Sequence, residues 1–114
     1  MKNFFILTKD DSDKSKGFIN EIIDYIKENG GDARAHILNR QRSSEPLEVP
    51  EKTECILTVG GDGTMIRAAM RTIRSNLPIL GINNGHPGYL CALDESNYRK
   101  ALKRLFADAS ETEE

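Results

Sequence analysis

Between Val59 and Met65 the chain reads Gly60, Gly61, Asp62, Gly63, Thr64. Glycines let backbone N–H groups come close to an anion, and a helix starting directly behind them adds about half a positive charge at its N-terminus. Such a turn is a cradle for phosphate. A carboxylate placed in it repels phosphate unless it has a task of its own, such as orienting a hydroxyl nucleophile, accepting its proton or holding Mg2+. The combination fits phosphoryl transfer to a hydroxyl better than passive anion binding. The plain alternative is a strand-to-helix turn in which Asp62 caps the helix and the glycines supply unusual backbone angles. Two familiar phosphate motifs do not apply. The P-loop pattern, with Lys and then Ser or Thr after its last glycine, does not occur, and a dinucleotide fingerprint read from Gly61 meets Ile66 where its third glycine belongs.

The elements around the cluster give it a place. A short apolar run at residues 4–7 reads as a buried first strand. Phe18, Ile19, Ile22, Ile23 and Ile26 then recur at helical spacing, with Asp11 or Ser12 as N-cap and Gly30 and Gly31 as terminator. Residues 33–38 form a modest second strand, followed by a polar, proline-containing loop. A third strand over 55–59 feeds the glycine cluster and a helix from about 64 to 75, on which Ile66, Ala69, Met70 and Ile73 make one apolar face. A fourth strand, 79–82, runs into Asn83-Asn84-Gly85-His86-Pro87-Gly88-Tyr89, and a last helix begins near Asp94.

Strands alternating with helices predict an α/β fold, a Rossmann-like parallel sheet of about four strands with flanking helices. In such sheets ligands collect at the carboxyl ends of the strands. Both loops, 60–63 and 83–88, follow strands joined by one crossover helix, so they are expected to line one cleft.

The 114 residues suit one domain, taken here as residues 1–107 with a polar tail at 108–114. With 16 basic against 18 acidic residues the net charge is −2, and no strong field points to nucleic acid or a membrane surface. The longest apolar runs are far too short to span a bilayer and no signal peptide opens the chain, so the expected location is cytoplasmic. Cys55 and Cys91 lack metal-ligand spacing and read as buried structural thiols.

The paired segments carry a resemblance. Residues 60–69 (GGDGTMIRAA) followed by 78–90 (PILGINNGHPGYL) resemble the double signature of the NAD kinases, the ATP or polyphosphate NAD kinases. The first motif, G-G-D-G-T, is matched throughout. The second is matched at Leu80, Gly81, Ile82, Asn83, Gly85, Gly88 and Leu90, with Tyr89 in place of Phe. Pro87 departs from the usual aliphatic residue and removes one N–H from the loop. Lipid kinases of the diacylglycerol and sphingosine type share G-G-D-G-T, but usually continue with an Asn-Glu pair where this chain has Met65, Ile66 and Arg67. Phosphofructokinases carry a related first motif, and neither group has the second.

The resemblance implies phosphorylation of NAD to NADP at the 2′-hydroxyl of the adenosine ribose, with ATP or polyphosphate as donor and Mg2+ shielding the phosphates. It implies that Asp62 engages that hydroxyl as base or orienting group. Gly60, Gly61, Gly63 and Thr64 then shape the phosphate-facing turn, with a plain helix-start role for Thr64 as the competing reading. Asn83, Gly85 and Gly88 form the facing wall. Tyr89 lies against adenine or, alternatively, in the core. His86 either touches phosphate or ribose or is solvated. Arg67, one turn into the helix, either neutralises triphosphate charge or, as the plainer reading, is an ordinary surface arginine, and His36 receives no role. The family's second, β-rich domain has no counterpart after Phe106, so the chain resembles an N-terminal domain supplying only its half of the site, inactive by itself and part of a homo-oligomer when full length. A lipid-kinase catalytic domain and a non-enzymatic nucleotide-binding module are the competing functions.

Overall fold

The computed structural model describes residues 1–9, 13–38, 47–83, 93–94 and 96–111. Its elements are β1 (Asn3–Thr8), α1 (Asp13–Glu28), β2 (Asp32–Ile37), β3 (Cys55–Gly60), α2 (Asp62–Arg71), β4 (Ile79–Asn83), β5 (Leu93–Asp94) and α3 (Tyr98–Glu111). A single 3-10 turn, Ile73–Ser75, follows α2. The five strands form one sheet in the order β2-β1-β3-β4-β5, and every pairing is parallel. The α/β expectation holds, with a fifth strand of only two residues that is too short to leave a periodic signal in the sequence.

The sheet is covered on both faces. Phe4 and Ile6 of β1 and Cys55, Leu57 and Val59 of β3 point to one side, where Ile19, Ile22 and Ile26 of α1 and Tyr98 and Leu102 of α3 bury them. The Phe18 and Tyr98 rings meet edge to face at 5.4 Å and tie the two helices together. The alternate residues, Phe5, Leu7 and Ile56, face α2 through Ala68, with Leu38 closing the same cluster and Leu47 and Val49 packed against it. These central strands are therefore apolar on both faces, as parallel strands enclosed by helices must be.

α1 ends as its sequence predicts. The Gly30 amide donates to Lys27 O at 3.1 Å and the Gly31 amide to Ile26 O at 2.9 Å, while Gly30 takes φ +84°, a left-handed turn that costs glycine little. Cys55 lies buried in β3, and desolvation pushes its thiol pKa up to about 12, so it stays a neutral hydrophobe. Cys91 lies outside the described residues.

α2 departs from expectation in extent and in orientation. It opens two residues earlier than read, at Asp62, and stops at Arg71. Thr72 Oγ1 donates to Ala68 O at 2.7 Å, Ser75 Oγ donates to Thr72 O at 2.6 Å, and Asn76 turns left-handed at φ 57°, so side chains and a left-handed residue end the α geometry. The buried positions are Thr64, Ala68 and Arg71, whereas Ile66, Met70 and Ile73 are 50%, 64% and 76% exposed. The apolar face read from the sequence thus looks outward. The Leu47 amide donates to Arg71 O at 2.8 Å, so the segment before β3 packs beside the C-terminal end of α2. The last helix also begins later than read, at Tyr98. Asp94 braces the preceding turn instead, accepting from Ser96 N at 2.8 Å and Asn97 N at 3.1 Å, while Asn97 Oδ1 accepts from Asp94 N at 2.7 Å.

Candidate functional site

The register places the ends of four strands along one edge. Thr8 ends β1 opposite Val59, Gly60 ends β3 opposite Asn83, and Asn83 ends β4 opposite Asp94. From β1 the chain moves outward to β2, and from β3 it moves the other way to β4 and β5, so the strand order reverses between Thr8 and Gly60. Crevices for ligands open at such reversals, outside the carboxyl ends of the strands. The glycine cluster lies at that reversal.

Its backbone is set by a close fit between Gly60 and Thr64. Gly60 has φ +150°, and a Cβ added to it would sit 2.7 Å from Thr64 Oγ1 and 3.1 Å from Thr64 Cβ. Thr64 is itself 5% exposed. The strand therefore ends with the threonine side chain folded under the turn, where only glycine leaves room for it. Gly61 follows as the N-cap of α2 at φ −107°, ψ −166°, with no side-chain hydrogen bond capping the helix. Asp62 stands in the first turn, half-buried, one residue past the N-cap position. A carboxylate there is favoured by the helix dipole. Cβ atoms added at Gly61 or Gly63 would meet nothing within 4 Å. That open space lets a ligand reach the backbone of the turn, whose opening N–H groups have no acceptor inside an α-helix.

The predicted site residues separate into those the register brings together and those outside the described residues. Gly60, Gly61, Asp62, Gly63, Thr64 and Asn83 share the edge, with Asn83 buried at 9% exposure beside Gly60. Gly85, His86, Gly88 and Tyr89 lie outside the described residues, as does Pro87. Arg67 is half-buried along α2. His36 is exposed on β2, its ring 6.2 Å from that of Phe5 and away from the cluster.

Two residues not singled out for the site stand on the same edge. Thr8, 3% exposed, ends the strand across the reversal from Gly60. Its only trace in the sequence is its position after an apolar run, and the strand order that makes the position matter is invisible there. Asp94 adjoins Asn83, but hydrogen bonds from Ser96 and Asn97 hold its carboxylate below the usual range and commit it to the turn before α3. Among the described residues, no group of three or more His, Cys, Asp or Glu is arranged to hold a metal ion. Among the same residues, no helix is long and apolar enough to cross a membrane.

Comparison with known proteins follows the same residues. The family model described as the ATP-NAD kinase N-terminal domain matches residues 6–110. This chain belongs to the NAD kinase family. It is 37% identical to an NAD kinase of Agathobacter rectalis, over 100% of this chain and 42% of that protein. An NAD kinase of Lachnospira eligens is 32% identical over 95% of the chain and 39% of its own length, and one of Clostridium botulinum is 31% identical over 93% and 37%. The chain therefore spans about two-fifths of the length of the curated NAD kinases it matches, and aligns with their N-terminal domain.

Proposed function

We propose that this domain supplies one wall of the active site of an NAD kinase, which phosphorylates the 2′-hydroxyl of the adenosine ribose of NAD with ATP or polyphosphate as donor. The observation that carries the reading is the pairing of Gly60 with Asn83, which sets the start of the second motif beside the glycine turn. In the reaction the 2′-oxygen forms a bond to the terminal phosphorus, the bond from that phosphorus to its bridging oxygen breaks, the hydroxyl proton is lost, and NADP leaves with ADP, or with polyphosphate one phosphate shorter when polyphosphate is the donor. The open backbone at Gly61 and Gly63 receives phosphate oxygens, and Asp62 orients the hydroxyl or takes its proton. Phosphoryl transfer runs through a loose transition state, so Asp62 acts as much by placing the oxygen as by basicity.

Mg2+ fits this arrangement. The ion takes one or two protein carboxylates and completes its shell with phosphate oxygens and water, and Asp62 is a single carboxylate at a turn built for phosphate. Bound there, it would neutralise phosphate charge. The rest of the dinucleotide pocket belongs to the domain that follows in the longer relatives, and the working enzyme is a cytoplasmic homo-oligomer carrying both. The test is NADP formation by the full-length protein with ATP and with polyphosphate, beside Asp62→Asn. Wild-type turnover in that variant would remove Asp62 from the chemistry.

A further inference from the structure

Resting on the reaction proposed above, we propose that the groove between α1 and β2 holds the adenosine of the phosphoryl donor, which makes that donor a nucleoside triphosphate rather than polyphosphate. The groove follows from the side chains of the edge strand. Where β1 presents Ile6 toward α1, the paired position of β2 is Ala35, whose single methyl group leaves a hollow beside the helix. That hollow has a volume of roughly 310 Å3, at the lower end of the range for small-molecule sites. Ile19 and Ile23 of α1 wall one side, and Ala35 and Ile37 of β2 wall the other. Ile37 is 46% exposed and offers apolar surface that gains from burial under a planar base.

The place of the groove selects the donor. Thr8 borders it and pairs with Ile37 on one side and Val59 on the other, so the groove opens one strand spacing, about 4.8 Å, from the strand that ends in Gly60. In-line transfer sets the attacking and leaving oxygens on opposite sides of the phosphorus. β4, with Asn83, lies on one side of β3, and β1, with Thr8, lies on the other. With the acceptor ribose on the Asn83 side, the leaving nucleoside diphosphate extends over Thr8 toward the groove. Lys16 borders the groove from the first turn of α1, which stands at the same sheet edge, and supplies a positive charge for the phosphates. Asn20, one turn further on, carries a carboxamide able to accept from N6 and donate to N7 of adenine. A few polar groups around apolar walls suit a nucleoside, whereas polyphosphate has nothing to place against those walls.

The test is titration of the 114-residue chain with MgATP, adenosine and inorganic tripolyphosphate, followed by amide NMR shifts. MgATP and adenosine should shift the amides of Asn20, Ile23, Ala35 and Ile37, and tripolyphosphate should leave those of Ile23 and Ala35 in place. Ala35→Leu, at an exposed position of the edge strand, fills the hollow and should weaken ATP binding about 10-fold. Asn20→Ala, exposed on α1, removes only a hydrogen-bonding group and should weaken it several-fold. MgATP shifts confined to residues 60–64 overturn the proposal, as does an ATP affinity that neither substitution changes, or the absence of any shift up to about 10 mM ATP. In a full-length protein the same substitutions should raise the KM for ATP and not the KM for NAD. NADP formation with an unaltered KM for ATP overturns the groove alone, whereas ATP seated in the groove of a protein that makes no NADP overturns the reaction and keeps the groove.

Discussion

The Thr64 side chain occupies the space that a methyl group on Gly60 would need, its Oγ1 2.7 Å from that position. The contact joins the last residue of β3 to the first turn of α2, so it sets the angle at which the helix, and Asp62 with it, leaves the sheet. Gly60→Ala must therefore push Thr64 out of a buried position and also hold alanine at φ +150°. We expect a loss on the order of 2 kcal/mol, read as a lower thermal midpoint, whereas Gly61→Ala, where a Cβ meets open space, should fall by much less. Equal losses at the two positions would show that the fit to Thr64 does not set the turn.

That contact also marks how far the sequence could be read. The glycine cluster, the strand before it and the existence of a helix after it were plain from residue types, because a short unbroken apolar run and a helical repeat are local properties. The inward side of α2 was not. Its side chains suggested Ile66 and Met70, yet Thr64 is buried through the closure over Gly60, and Arg71 lies buried beside the segment at Leu47, about 24 residues away in the chain. Thr8 and Asn83 became neighbours of the cluster only through strand order and register, which no local pattern encodes. β5 is two residues long and has no period to detect.

Thr58 lies at 0% exposure in β3, and among the described residues its Oγ1 has no hydrogen-bond partner. A buried hydroxyl without a partner costs roughly 1–3 kcal/mol in lost hydration, and valine has the same branched shape without that group. Valine is also at home in a central strand. Thr58→Val should raise the thermal midpoint by a few degrees, on the order of 1 kcal/mol in a domain of this size. A lower midpoint would mean that the hydroxyl satisfies a partner in solution.

Glu54 fastens the N-terminal segment to the start of β3. Its Oε1 accepts from the Lys2 amide at 2.8 Å and the Asn3 amide at 3.2 Å, and these bonds hold its pKa below the ordinary carboxylate value. A pKa depressed in the folded state gives stability that is present above the unfolded pKa and lost as pH falls through the folded one. Acid unfolding should therefore include a Glu54 contribution below about pH 4.5. Glu54→Gln should lower the thermal midpoint at pH 7 and narrow its difference from wild type as the pH falls below 4. A gap between the two proteins that is constant from pH 7 to about pH 3 would remove the carboxylate from the acid transition.

The isolated chain should fold and make little or no NADP. Its sheet edge carries Gly60, Asp62 and Asn83 together, yet its length is about two-fifths of that of the related kinases. Phosphoryl transfer is catalysed chiefly by positioning, and a misplacement of about 1 Å can cost on the order of 100-fold in rate. With one wall of the cleft, the ribose hydroxyl and the phosphoryl donor are not held in line, so nearly all turnover should be lost. Adenine-nucleotide binding should persist weakly, because the open turn at Gly61 and Gly63 and the helix terminus belong to this domain alone. In a full-length protein, Asp62→Asn should reduce kcat far more than it raises the KM for NAD, since a group acting mainly in the transition state affects turnover more than binding. The measurements are NADP formation by the 114-residue chain beside a full-length NAD kinase, and nucleotide titration of the same chain followed by amide NMR shifts. Steady NADP production by the short chain, at a rate comparable with the full-length enzyme and abolished by Asp62→Asn, would show that this domain alone holds both reactants in line.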